Sequence, residues 1–252
     1  MSNKEGTAYK LLIITLYYMD LFRPLNEQEY ASLIKYLRAK ILERLGIKAD
    51  YEIDPTHLVR IAELKFGVFV SIEKLMYSDG MIKRVLRGGS MGTIRPIKNL
   101  LEDSVTAAIH AAFYDPRFSP ISIAEFKNCV LEVTVISPPL MDVDMEWVRN
   151  NMVLGYHGLY IVDSGKATIL LPQKVIEIAE NYYQRTNKQL GISDFMKELC
   201  DSLKMCNPTS IKAFKTQIIY ELRPDGNVIE RKLYLNRLLS NNLKQQAVAN
   251  GQ

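Results

Sequence analysis

Residues 83–98 read Lys83-Arg84-Val85-Leu86-Arg87-Gly88-Gly89-Ser90-Met91-Gly92-Thr93-Ile94-Arg95-Pro96-Ile97-Lys98. Three glycines stand among five cations, Ser90 and Thr93 lie between them, and the stretch holds no acidic residue. Glycine lets a backbone take positive φ and approach a neighbour closely, so successive N–H groups of such a segment can converge on an anion. The same composition also fits a tight connection whose cations form a solvated rim. Just upstream, Val68, Val70 and Ile72 alternate with Phe69 and Ser71 at the period of a strand, and Ser78-Asp79-Gly80 is a turn signal. The glycine stretch is therefore expected to follow a hairpin, which makes antiparallel pairing the first inference about the fold.

Helical patterns flank this region on both sides. Asn26 and Glu29 have capping-box spacing, Leu25 and Tyr30 can form a hydrophobic staple, and Tyr30, Leu33, Ile34, Leu37, Ile41 and Leu45 share one face before Gly46. Residues 98–113 carry Leu101, Val105, Ala108, Ile109 and Ala112 on one helical side and stop near Asp115-Pro116, because proline disfavours helix at the residue before it. Ser122 and Glu125 cap a short turn, and Cys129 to Ile136 is a β-rich run with Cys129, Leu131, Val133 and Val135 on one face. After a looser segment at 140–153, Gly158–Val162 and Ala167–Leu171 read as strands joined through Asp163-Ser164-Gly165. Pro172 then opens a helix to about Thr186 and a second helix spans about 193–204. Ala213–Leu222 and Val228–Tyr234 form a hairpin around Pro224-Asp225-Gly226. Residues 8–22 read as a helix that is apolar on most sides, and a polar tail from about Asn241 as frayed. The fold class is α+β, with largely antiparallel sheets flanked by helices.

With 48% apolar residues in 252, the chain has material for a full core, and its net charge of +4 tolerates anionic partners without demanding nucleic acid. Cys129, Cys200 and Cys206 form no CxxC pair and have no neighbouring histidine, so reduced, buried thiols are expected and no zinc site. His57, His110 and His157 have no metal-ligand spacing, and no cofactor is named by the sequence. The run Leu11–Met19 is short for a membrane span and lacks a small-residue cleavage site, which places the protein in the cytoplasm and off the membrane. Gly89-Ser90-Met91-Gly92 matches the GxxG loop of KH domains but lacks their helix-loop-helix context and an aromatic row, so nucleic acid is a weak partner class. The spacing and ending of a Walker loop are missing too.

Taken in order, Gly67-Val68-Phe69-Val70, Leu86 to Thr93, Asp115-Pro116-Arg117-Phe118-Ser119-Pro120, Ser137-Pro138-Pro139, His157-Gly158-Leu159 and Leu170-Leu171-Pro172-Gln173 resemble the AMMECR-domain family. The resemblance runs from about Tyr30 to Tyr220 and implies a two-lobed protein, about 30–139 and 140–222. Residues 1–29 then form a helical extension, and 223–252 a C-terminal strand and tail. It also implies that the family element Leu-Arg-Gly-Cys-Ile-Gly-Thr lines a cleft, and it associates the family with Memo-type and radical S-adenosylmethionine partners, an association without a mechanism. Here Ser90 stands where the family has cysteine, and aligning Leu86-Arg87-Gly88 as well requires one inserted residue.

The candidate site follows from both readings. Arg87, Gly88, Gly89, Gly92, Thr93 and Arg95 are candidate binders of a small anionic ligand or of the acidic part of a partner, with Asp115, Arg117 and Gln173 across from them. Each has a plainer alternative: turn chemistry for Asp115 before Pro116, a helix-start contact for Gln173. Glu132 interrupts an apolar strand, so it either faces solvent or sits in a cleft beside a cation such as Arg87. In an enzymatic version Ser90, or a bound water, is activated by His157 or Glu132; in a non-enzymatic version the same groups recognise a partner. His157 also reads as a hydrogen-bonded structural residue.

Overall fold

The computed structural model describes residues 21–78, 81–138, 140–153, 155–188, 190 and 192–231. The helix expected at 8–22, all but its last two residues, and the tail from Asn241 lie outside them, as do Asp79 and Gly80 of the expected turn. The described chain is α+β, and every strand pairing is antiparallel.

Two compact units divide it. One holds residues 23–138 and 217–231; the other is built on 139–216. In the first, α1 (Glu27–Arg44) starts where Asn26 accepts from the N–H groups of Gln28 (3.0 Å) and Glu29 (2.9 Å) while Glu29 accepts from Asn26 N–H (2.9 Å), the reciprocal box that satisfies orphan donors. Its Leu33, Ile34, Leu37 and Ile41 are fully buried. A short α2 (Pro55–Ala62), capped by Asp54, was not legible in the sequence, since eight residues show less than a full period of apolar spacing.

Strands β1 (Gly67–Ser78) and β2 (Met81–Thr93) pair as a hairpin, and α3 (Leu100–Phe113) lies against both. The glycine stretch is therefore the hairpin's second strand and not, as expected, the segment after it. After the four-residue α4 (Ile123–Phe126), β3 (Cys129–Ile136) pairs with the other edge of β1. All eight residues of β3 are buried, not only the alternate set, because both of its faces are covered.

The second unit contains β4 (Met141–Val143), α5 (Met145–Asn151), β5 (His157–Asp163), β6 (Lys166–Leu170), α6 (Pro172–Thr186) and α7 (Ile192–Leu203). The segment 140–153, expected to be loose, thus holds a strand and a helix. Ser164 (φ 49°) and Gly165 (φ 78°) turn β5 into β6, with positive φ at both central positions as tight hairpins require. Leu159, Ile161, Leu170, Val175, Phe195 and Leu199 form this unit's core. Cys200 and Cys206 are joined in a disulfide with Cα atoms 4.3 Å apart, correcting the reduced reading; the chain reverses between α7 and the next strand and brings them together. Cys129 alone remains a buried thiol.

The long strand β7 (Ser210–Glu221) begins in the second unit, paired with β4 and β5, and ends in the first beside β3, where β8 (Val228–Glu230) pairs with it. Its last residue is fixed by charge. Arg38 of α1 donates to Glu221 from Nε (2.6 Å) and Nη2 (3.1 Å) and also to the Cys129 carbonyl, while Glu221 accepts from Leu131 N–H at 2.8 Å. Both side chains are almost fully buried, and the guanidinium lies 4.7 Å from the Phe126 ring centroid. One ion pair thus ties α1, β3 and β7. Replacing Arg38 by Met leaves a buried carboxylate without its cation and is expected to cost about 3–5 kcal/mol, with Glu221→Leu in the same chain restoring much of it; urea denaturation of the single and double variants checks this.

Candidate functional site

Strand β2 is bulged where the glycines fall. Two steps along β1, from Val70 to Ile72, match three along β2, from Met91 to Gly88, and the next single step matches two, Gly88 to Leu86. The extra residues are at Gly89, with φ 94°, and Arg87. The one inserted residue that aligning Leu86-Arg87-Gly88 with the family element requires thus falls within the bulged stretch. The Gly89–Ser90 peptide is cis.

The donors that the sequence aimed at an external anion are engaged by carboxylates of the protein itself. Gly89 N–H donates to Asp115 Oδ2 at 2.9 Å, and Arg117 donates to Asp115 from its backbone (3.0 Å), Nε (3.0 Å) and Nη2 (2.7 Å) and to the Gly89 carbonyl from Nη2. The Arg117 guanidinium, helped by these N–H groups, holds the buried Asp115 carboxyl down to about 2. Arg87 grips Glu125 with Nε and Nη2, each at 3.0 Å, and also reaches the Ser119 carbonyl (3.1 Å). That guanidinium keeps Glu125, the capping residue of α4, at about 2. Gly88 and Gly92 serve packing: an added Cβ would lie 2.1 Å from the Ala111 carbonyl oxygen at the first and 1.9 Å from that of Val68 at the second. Thr93 Oγ1 turns to its neighbours, donating to the Arg95 carbonyl (2.6 Å) and accepting from Arg95 N–H (3.3 Å), and Arg95 is exposed.

Ser90 is exposed, and its hydroxyl meets that of the buried Ser71 at 2.9 Å. Ser71 pairs across the sheet with Glu132, so Ser90, Ser71 and Glu132 form a row over three strands. Glu132 neither faces solvent nor meets Arg87: it is 2% exposed and pairs with Arg231, just past β8, at 3.0 Å. The sequence singled out neither Ser71 nor Arg231. A small hydroxyl among Phe69, Val70 and Ile72 was the signal for the first; the second lies 99 residues from its partner and gave none.

His157 and Gln173 belong to the other unit. His157 opens β5, buried, accepts from Val153 N–H at Nδ1 (2.9 Å), and packs edge-on to Trp147 and Tyr156. Burial, with Lys215 nearby, lowers its pKa to about 4, so the ring is neutral with its proton on Nε2. Gln173 occupies the first turn of α6. Among the described residues no cluster of histidine, cysteine and carboxylate side chains fits a metal, and no helix is long and apolar enough to cross a membrane.

An antiparallel α+β fold with a bulged glycine strand held by an Asp-Arg clasp defines the class of protein. The AMMECR1 family profile matches residues 34–219, and the chain belongs to that family. It is 34% identical over 221 residues to protein MK0488 of Methanopyrus kandleri, covering 83% of this chain and 96% of that one. It is 29% identical over 221 residues to protein MJ0810 of Methanocaldococcus jannaschii, covering 84% and 99%. The crystal structure of the uncharacterized protein PH0010 from Pyrococcus horikoshii shares the fold, with TM-score 0.62 at 24% identity over 83% of this chain and 99% of that one.

Asp115→Ala removes the acceptor of a buried N–H and of a guanidinium and is expected to destabilise by about 2–3 kcal/mol in urea denaturation. His157 is neutral in the fold until about pH 4 but takes a proton near 6.5 when unfolded. Stability should therefore fall as pH drops through that window, by roughly 3 kcal/mol at the full shift. Stability against pH for His157→Gln should show a flatter slope there.

Proposed function

We propose that the protein binds a small oxyanion, a carboxylate or phosphate group, or an acidic side chain of a partner, at Ser90. The observation that carries this is the exposed Ser90 hydroxyl held by Ser71, one peptide unit from a guanidinium that is half exposed. Arg117 uses Nε and Nη2 on Asp115 and Gly89, so its Nη1 edge, which makes none of these bonds, is the donor pair left for a ligand. Arg87, gripped by Glu125 and 12% exposed, is a positioning residue in this reading.

Binding is favoured over nucleophilic attack because the partner of Ser90 is another alcohol, which has no more basicity than serine itself. The carboxylate beyond it, Glu132, is matched by Arg231. The carboxylates against Arg87 and Arg117 also weaken the cationic field on which nucleic-acid binding would depend. A cytoplasmic setting belongs to the same proposal through the short apolar run at Leu11–Met19, and partnership with a Memo-type protein and a radical S-adenosylmethionine enzyme through the family resemblance alone.

Titration of the 15N-labelled chain with inorganic phosphate or acetate tests the site. Shifts are expected at the amides of Ser90, Ser71 and Arg117, and Ser90→Ala is expected to weaken binding by about threefold to tenfold, the value of one hydrogen bond. Shifts that gather elsewhere, or an affinity indifferent to Ser90→Ala, overturn the proposal.

A further inference from the structure

Helix α7 ends in a cross-linked turn. Lys204, the residue after its last, donates its N–H to the Cys200 carbonyl at 3.0 Å from a left-handed conformation (φ 59°), which a residue with a Cβ adopts at a cost. Cys200 lies in the last turn of the helix and Cys206 just past Lys204, so the disulfide closes over this turn. The segment beyond is also fastened without sulfur. Met205 is 3% exposed and belongs to the core of this unit, Asn207 N–H donates to Asp163 Oδ2 at 2.8 Å, and Thr209 N–H donates to the Val162 carbonyl at 2.8 Å, immediately before β7 begins at Ser210.

The two bridged residues are not equally placed for attack: Cys206 is exposed and Cys200 half-buried. Cys129, the third cysteine, is fully buried in β3, where burial pushes its thiol pKa up, so it supplies no thiolate to reshuffle the bridge. With a sequence separation of 6 the bridge closes a short loop, and the restriction that a disulfide places on the unfolded chain grows with loop length. A staple for stability would join distant parts of the chain. This one joins a helix end to a segment that the buried Met205, Asp163 and the Val162 carbonyl already hold.

We infer that Cys200–Cys206 is an exchangeable disulfide, opened at Cys206 by a thiol reductant while the rest of the fold stays in place, so that the end of α7 is tight in the oxidised chain and loose in the reduced one. An external thiolate bonds to Cys206 Sγ as the Sγ–Sγ bond breaks, and Cys200 leaves with the bonding pair and takes a proton from water. When the reductant is a dithiol, its second thiolate displaces Cys206, which is protonated in turn, and the reductant departs as its own disulfide. Two electrons and two protons have then passed to the protein. Without the bridge, Lys204 keeps its left-handed conformation on backbone hydrogen bonds alone, so this turn opens first. Met205 and Asp163 return the segment to its place, which makes the change reversible. The inference rests on neither Ser90 nor Arg117.

The test treats the full chain, isolated under air, with dithiothreitol or glutathione in native buffer, followed by alkylation and peptide mapping by mass spectrometry. Dithiothreitol is expected to open Cys200 and Cys206 to alkylation and to leave Cys129 unmodified until guanidinium is added. Glutathione is expected to add at Cys206 in about tenfold or greater excess over Cys200. After reduction thermal melting should remain cooperative, and amide exchange at Lys204 and Met205 should quicken by about tenfold while β5 and β7 keep their protection. Cys200→Ser, which leaves Cys206 as a free thiol, is expected to react with oxidised glutathione faster than Cys206→Ser, which leaves Cys200. Reduction that requires guanidinium overturns the inference and makes the bridge a structural staple. Three free thiols in the chain isolated under air, alkylation of Cys129 in step with the other two, a glutathione adduct chiefly at Cys200, or unaltered exchange at Lys204 and Met205 overturns it as well.

Discussion

The approach of bare backbone to bare backbone at Gly88 governs the first unit. Its Cα faces the Ala111 carbonyl of α3 so closely that even a methyl group would overlap it, and Gly92 stands in the same relation to Val68 of β1. Strand and helix therefore meet without a layer of side chains between them. Because α3 lies so near, the residues that follow it arrive within reach of β2, and Asp115, two positions past the helix end, meets the Gly89 N–H. Packing at one glycine thus determines where a carboxylate falls relative to the next.

That carboxylate changes what the glycine segment can do. A backbone N–H exposed at a turn is a receptor for whatever anion arrives, but here an anion is covalently part of the protein and already ionised at any pH above about 2. Arg117 neutralises it and binds the carbonyl on the other side of the same residue, so Gly89 is held from both its N–H and its C=O. Glu125 does the same for Arg87. What remains at the surface after the internal pairs are made is not the amides but a hydroxyl, that of Ser90, and the outer edge of the Arg117 guanidinium.

The features legible in the sequence are those whose cause is local. Capping boxes at Asn26–Glu29 and Ser122–Glu125, the turn at Ser164-Gly165 and the helix opened by Pro172 each depend on residues within one or two turns of each other, and each is present. What escaped reading is non-local. Arg38 and Glu221 are 183 positions apart, and a cation in the stripe of Ile34 and Ile41 marks a buried charge without naming its partner. Cys200 and Cys206 have a spacing typical of no motif and are joined by the path of the chain. The candidate residues around Ser90 were readable from glycine and charge, but their pairing was not, because composition does not reveal which carboxylate returns to which cation.

The two bulges explain why glycine, serine and arginine occur in this order. In an unbroken ladder every second residue of β2 shares a face, so Leu86, Gly88 and Ser90 would all point the same way. The extra residue at Gly89 turns Gly88 to the opposite face, where α3 leaves room only for glycine, and keeps Ser90 across from Ser71. The second, at Arg87, reverses the change, so Leu86, Arg84 and Ile82 return to the face of Ser90. Arg87 itself, taken out of the alternation, is released toward Glu125. A single bulge would have inverted the whole distal ribbon; paired bulges confine the inversion to one glycine, which has no side chain to misplace.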